Sequence, residues 1–194
     1  MKKTTAFDRT LPPNRLFLGQ YQQDWALYFA AFRHYWSIRG SDTTARPVYV
    51  DLAAAWPTKI SNTFVFDACL GWSGICIEAD PAKVPDLVRE RGCQLIDTCI
   101  HSEDGFPVDF ASSRDSGRNG IVSGPSAHSV QLNCTTLAKV FHRASVTQVE
   151  FLSLDVEGSE AVVLQGIDFT KPVPQYHMRF VQLKCWSRGK REQG

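Results

Sequence analysis

The sequence predicts an α/β protein built on a doubly wound, mostly parallel sheet. Two observations carry that expectation. Short β-rich runs alternate with helical segments, a pattern that requires βαβ crossovers between parallel strands. Four of those runs also end at an acid: Asp51, Glu78, Asp97 and Asp155. The chain has 194 residues, 43% of them hydrophobic and 21% charged, the composition of an ordinary globular domain. At that size folding buries roughly 70% of the surface exposed by the unfolded chain, so the core needs no disulfide staple.

The elements follow in order. Residues 1–20 are polar and proline-bearing and read as extended, and residues 21–38 read as a helix packing Trp25, Leu27, Tyr28, Phe29, Phe32 and Trp36 onto the body. A loop from Gly40 to Pro47 leads into a first strand, Val48 to Leu52, and then the small-residue turn Ala53-Ala54-Ala55-Trp56-Pro57. Ser61 and Asn62 can cap a helix over Thr63–Leu70 that Gly71 stops. Gly74–Glu78 is the second strand, a helix from Ala79-Asp80-Pro81 runs to Arg91, and Gln94–Asp97 is the third strand. Ser102 to Ser129 is polar and Ser/Gly-rich, the pattern of a long loop with room for an edge hairpin. Thr135–Ala144 reads as a helix, Val149–Leu154 as a fourth strand, Ser159–Gln165 as a short helix and Arg179–Trp186 as a fifth strand.

Bulk chemistry excludes several classes. A net charge of +1 gives none of the concentrated positive field of a nucleic-acid binder. No apolar run approaches the roughly 18 residues of a membrane span, and the N-terminus lacks the apolar core of a secretory signal. The six cysteines (Cys69, Cys76, Cys93, Cys99, Cys134, Cys185) contain no C-x-x-C pair and sit largely in apolar runs, where free cysteine acts as a small buried hydrophobe. That pattern fits a cytoplasmic or other reducing compartment. With five scattered histidines it offers no closely spaced tetrahedral ligand set, so no metal is expected.

The acids carry the chemistry. Phe151-Leu152-Ser153-Leu154-Asp155-Val156-Glu157-Gly158 is a buried strand running into two carboxylates and a glycine turn. Such acids either cap the following helix or stand at the carboxyl ends of strands, where open α/β sheets bind ligands. Glu78, at the tip of the second strand, is placed to accept hydrogen bonds from the two ribose hydroxyls of an adenosine cofactor. An acidic rim with alanines, Trp56 and Pro57 in its first turn is a poor phosphate cradle. It suits an adenosine carrying a positive sulfonium and an amino group, namely S-adenosylmethionine.

Three ordered blocks resemble the FkbM family of S-adenosylmethionine-dependent methyltransferases. They are Val50-Asp51-Leu52-Ala53-Ala54 with Ile60-Ser61-Asn62-Thr63 and Leu70 through Pro81, then Asn133-Cys134-Thr135-Thr136-Leu137, then Phe151 through Glu160 with Val163 through Phe169. The resemblance implies a Rossmann-like, class I methyltransferase fold over residues 48–186, between an N-terminal extension (1–47) and a short polar tail (187–194). It also implies O-methylation of a small molecule or a sugar or glycan hydroxyl. By that analogy Asp51, Ala53 and the turn after it hold the methionine end of the cofactor, Glu78 the ribose and Asp97 the adenine, with Ser61 also among the cofactor-binding residues. Asp155 stands beside the transferring methyl group, and Glu157, or His101 or His128, takes the hydroxyl proton.

Two features depart from the family pattern. Family members usually carry glycine or asparagine where this chain has Ala55, Trp56 and Pro57, and they usually add two strands after the fifth. The departures motivate an alternative, a catalytically inactive binding or scaffold protein of methyltransferase fold. A fifth strand left at the edge would also offer a route to homodimerisation. A nicotinamide-dependent oxidoreductase shares the Glu78 logic but would need a G-x-G-x-x-G turn, which the chain lacks.

Overall fold

The computed structural model describes residues 16–33, 46–113, 119–168 and 177–183. Expectations for residues 1–15, the helix tail 34–38 with Trp36, the end of the fifth strand at 184–186 and the tail 187–194 lie outside the described residues.

The order of elements is α1 (Gln23–Leu27), which widens into a π-helical segment (Tyr28–Phe32), then β1 (Val48–Leu52), α2 (Val65–Cys69, π-wound), β2 (Ser73–Glu78), α3 (Val84–Glu90) and β3 (Gln94–Asp97). There follow β4 (Pro107–Ala111), β5 (Ile121–Val122), β6 (Ser129–Asn133), α4 (Leu137–Arg143), β7 (Gln148–Leu154), α5 (Glu160–Gln165) and β8 (His177–Leu183). Five strands form a wholly parallel sheet in the order β3-β2-β1-β7-β8. The chain therefore starts in the middle at β1, builds outward to β3, and returns to add β7 and β8 on the other side. The direction of winding reverses between β1 and β7, where Asp51 pairs with Ser153 and Leu52 with Leu154. Crossovers diverge at such a point and leave a crevice at the strand tips.

Side chains alternate across the sheet with the two-residue period of a strand. On one face Val50, Leu52, Ile75 and Ile77 pack against Leu137, Val140 and Phe141 of α4 and Val163 of α5. On the other, Tyr49, Cys76 and Phe151 meet Val65 and Phe66 of α2, Leu87 of α3 and Phe32. Phe32 is fully buried, with ring centroids of Trp72, Phe180 and Phe66 at 4.8, 4.9 and 5.4 Å. That cluster docks the N-terminal helix onto the sheet, and truncating such a ring costs about 3–5 kcal/mol.

Local signals explain the helix boundaries. Thr136 caps α4, its hydroxyl accepting from the Lys139 amide at 3.2 Å, and His142 and Arg143 in the last turn complement the helix dipole. Ser61 Oγ accepts from the amides of Thr63 and Phe64 as the chain enters α2, so the expected cap is present although the helix is shorter than Thr63–Leu70. The helix expected from Ala79-Asp80-Pro81 begins at Val84, after a turn over 81–83 in which Asp80 Oδ1 accepts from the Ala82 amide at 3.0 Å.

Two expectations are corrected. The polar 102–129 segment is more than a loop with room for a hairpin: β4, β5 and the start of β6 lie in it, and the three form a separate antiparallel sheet in the order β5-β4-β6. The cysteines, too, are not all free thiols. Cys76 pairs with Cys93 and Cys99 with Cys134, while Cys69 is free and Cys185 lies outside the described residues. The inference of a reducing compartment rested on free thiols and loses that support. No helix among the described residues is long and apolar enough to cross a membrane.

Candidate functional site

The tips of β1, β2 and β7 open into a cavity of about 340 Å³, at the lower end of the range for small-molecule sites. Asp51, Ala53, Ser61, Glu78, Asp155 and Glu157 all line it, so most of the acids picked from the sequence converge on one crevice. Asp97 does not. It is exposed on a neighbouring groove, and the segment just after its strand contributes Thr98, Cys99 and Ile100 to the cavity instead. Neither His101, stacked on Phe106 with centroids 3.8 Å apart, nor the exposed His128 lines the cavity.

Glu78 is 4% exposed and organises the first turn. One carboxylate oxygen accepts from the Ala55 amide and the other from the Asp80 amide, each at 2.7 Å. Burial pushes its carboxyl above the usual glutamate range, against the pull of those two amides. The turn it holds is unusual for alanine: Ala53 and Ala55 have φ of 62° and 46°, in the left-handed region that glycine favours. The chain thus keeps a glycine-type backbone with alanine side chains. Trp56 lines the wall with Lys83 Nζ 3.1 Å from its ring centroid and Lys59 Nζ at 5.1 Å, which fixes the indole between two cations.

Asp51 is 5% exposed, and its Oδ2 accepts from Thr63 Oγ1 at 2.5 Å and lies 3.6 Å from Arg91 Nη1. Burial raises its carboxyl, and Arg91 and Thr63 pull it back down. Arg91 was read from the sequence as the end of a helix; the structure buries it behind the cavity wall. Its guanidinium bonds Asp67 at 2.8 Å, Thr63 Oγ1 at 2.7 Å, Tyr49 Oη at 3.1 Å and Ser61 Oγ at 3.2 Å. Burial opposes its charge, but Tyr49, Asp51 and Asp67 outweigh that and hold it more firmly protonated than usual. One side chain thereby ties β1, α2 and the Ser61 turn together.

At the β7 tip Glu160 Oε1 accepts from the amides of Val156 at 3.2 Å and Gly158 at 3.3 Å, which holds the turn that carries Asp155 and Glu157 ahead of α5. Glu157 has φ of 54° and Gly158 of 105°, a sharp turn at the cavity edge. Asn62 adds a polar group that the sequence argument treated as a cap. It lines the cavity at 8% exposure, donates to Ser153 Oγ at 3.4 Å, and its Oδ1 has no hydrogen-bond partner among the described residues.

The small sheet closes one side through Phe110 of β4, Ile121 of β5, and Asn119 and Gly120 just before β5. Asp80, fully buried, anchors it by accepting from Ser112 Oγ at 2.6 Å, the Ser113 amide at 3.2 Å and the Asn119 side chain. Among the described residues no cluster of His, Cys, Asp or Glu could hold a metal ion.

The methyltransferase FkbM domain model matches residues 54–184, well over half of the chain. The chain belongs to the FkbM methyltransferase family. No curated protein and no solved structure matches it at the same standard of significance. The matched span of this FkbM domain runs from the first turn through β8, taking in Glu78, the small sheet, Asp155 and Glu157. Mixed α/β architecture with a five-stranded parallel sheet agrees with membership.

Proposed function

We propose that this FkbM-family protein binds S-adenosylmethionine in the crevice between β1 and β7 and methylates a hydroxyl oxygen of a small molecule or sugar. The observation that carries the reading is the convergence of Glu78 and Asp155, from two strand tips, on one cavity at the point where the winding reverses. The donor set fits the cofactor. Each Glu78 oxygen holds one backbone amide and retains a second lone pair for a ribose hydroxyl. Buried Asn62 Oδ1 is an acceptor suited to an ammonium N–H. In the cavity lining the carboxylates of Asp51, Glu78, Asp155 and Glu157 outnumber Lys59 and Lys83, an excess of negative groups that favours a cation.

When bound, S-adenosylmethionine supplies an electrophilic methyl group. The protein's part is chiefly alignment, holding the acceptor oxygen in line for displacement, which can supply several kcal/mol of barrier lowering. Glu157, at the cavity edge, is placed to take the hydroxyl proton as the new O–C bond forms. Trp56, with Lys83 and Lys59 over its ring, and the small sheet wall the crevice.

Calorimetric titration with S-adenosylhomocysteine tests the reading. The folded protein should bind it, and Glu78→Ala should weaken binding by about 1.5–3 kcal/mol for each well-formed bond to the carboxylate. Absence of binding by a sample shown to be folded sinks the proposal, and unchanged affinity in Glu78→Ala removes that residue from the site.

A further inference from the structure

The solvent end of the cavity is largely apolar although four carboxylates line it. Of the large hydrophobic side chains exposed on the described surface, Tyr21 (68% exposed), Ile60 (38%) and Ile121 (40%) all line this cavity. They come from three separate segments: the turn before α1, the loop between β1 and α2, and β5 of the small sheet. Leaving apolar surface in water around one opening marks a ligand-binding rim.

Each rim residue is held in place by a specific device. Asp24, fully buried, accepts from the amides of Leu18 at 2.7 Å and Gly19 at 3.1 Å, and Gly19 bridges to Ile60, which fixes the Tyr21 segment against the mouth. Ile60 has φ of 53°, a conformation that β-branched residues avoid, and the bridge keeps it there. Ile121 is positioned by the strand pairing of Phe110 with Ile121 and by the Asp80 anchor. The other exposed residues of the lining are Gln20 and Lys59, so apolar side chains outnumber polar ones at its solvent end.

Resting on the methyltransferase reading of this same cavity, we infer that the acceptor is a hydroxylated compound with a flat apolar body, of which an aryl ring is the simplest case. Tyr21, Ile60 and Ile121 clasp the body, and the hydroxyl points down to Asp155 and Glu157. The rim residues select the acceptor; they take no part in bond making.

The experiment compares 2-naphthol with methyl β-D-glucopyranoside as probes. Binding is followed by saturation-transfer NMR and calorimetry on the full chain, with and without saturating S-adenosylhomocysteine. Naphthol should bind, the glucoside should not, and Tyr21→Ala and Ile121→Ser should each weaken naphthol by about tenfold or more. Val88→Ser, an equally exposed apolar position outside the cavity, should leave it unchanged. Glucoside binding as tight as naphthol, no naphthol binding, or naphthol affinity unchanged in both rim variants overturns the inference. Because all substituted residues are exposed, matched thermal melts verify folding. The homocysteine titration on the same samples reads the cofactor proposal separately: naphthol that binds through the rim in a protein that ignores S-adenosylhomocysteine refutes the cofactor and spares the rim.

Discussion

Arg91→Met removes the cation that joins β1, α2 and the Ser61 turn while leaving most of the side-chain volume in place. The loss is calculable in outline. Arg91 is fully buried, ion-paired to Asp67 at 2.8 Å and Asp51 at 3.6 Å, and it donates to Thr63, Tyr49 and Ser61. Removing one partner of a buried ion pair costs about 3–5 kcal/mol, because the remaining charge stays desolvated. That is a large share of the roughly 5–15 kcal/mol that holds a domain folded. The deficit should also depend on pH. Burial already raises the Asp51 carboxyl, and loss of Arg91 removes the main influence pulling it back. An acid whose folded pKa lies above its unfolded value near 3.9 contributes stability that is present at low pH and lost as pH rises. Urea unfolding of wild type and Arg91→Met at about pH 4.5 and 7 should therefore show the larger difference at pH 7. A difference under about 1 kcal/mol at pH 7, or one that shrinks as pH rises, refutes the assignment of Arg91 as the organiser of this wall.

Three further outcomes are expected. Ala55→Gly should be neutral to stabilising, by up to about 1 kcal/mol, because relief of left-handed strain outweighs the added unfolded-state entropy; a clear loss of stability in thermal melts would contradict the backbone geometry. Asp80→Ala should release the small sheet, so hydrogen exchange at β4 and β6 amides should quicken far more than at β1 or β7, whereas uniform change would assign Asp80 to global stability alone. Alkylation of the unfolded, unreduced chain should spare Cys76, Cys93, Cys99 and Cys134. Their bridges close separations of 17 and 35 residues, so reduction should cost about 3 and 4 kcal/mol respectively by loop-closure entropy.

The sheet was legible because its information is local. Val48–Leu52 and Gln94–Asp97 match to the residue, and the other strands of the parallel sheet to within a few, since an apolar run bounded by turn residues declares itself without distant context. The convergence of Asp51, Glu78, Asp155 and Glu157 followed from strand tips sharing one edge of a parallel sheet. Asp97 fails that logic because β3 is an edge strand, and its tip faces a neighbouring groove. Arg91 was invisible for a different reason: an arginine closing a helix normally serves the dipole at the surface. Its burial depends on Tyr49, Thr63 and Asp67, partners 24 to 42 residues away in sequence. Disulfide pairing is likewise a three-dimensional fact, and spacings of 17 and 35 residues carry no motif. The small sheet hid inside a polar composition because its strands are short and only partly buried. The role of Asp80 as anchor of that sheet is equally non-local, because its partners Ser112, Ser113 and Asn119 lie 32 to 39 residues away in sequence.

The central claim is that an adenosine cofactor lies across the tips of β2 and β7. A crystal structure grown with S-adenosylhomocysteine tests it most directly. The account predicts density in the crevice, with ribose hydroxyls on Glu78 and the sulfur beside Asp155; density that avoids both carboxylates, or an unliganded crevice in crystals holding the ligand elsewhere, would contradict it.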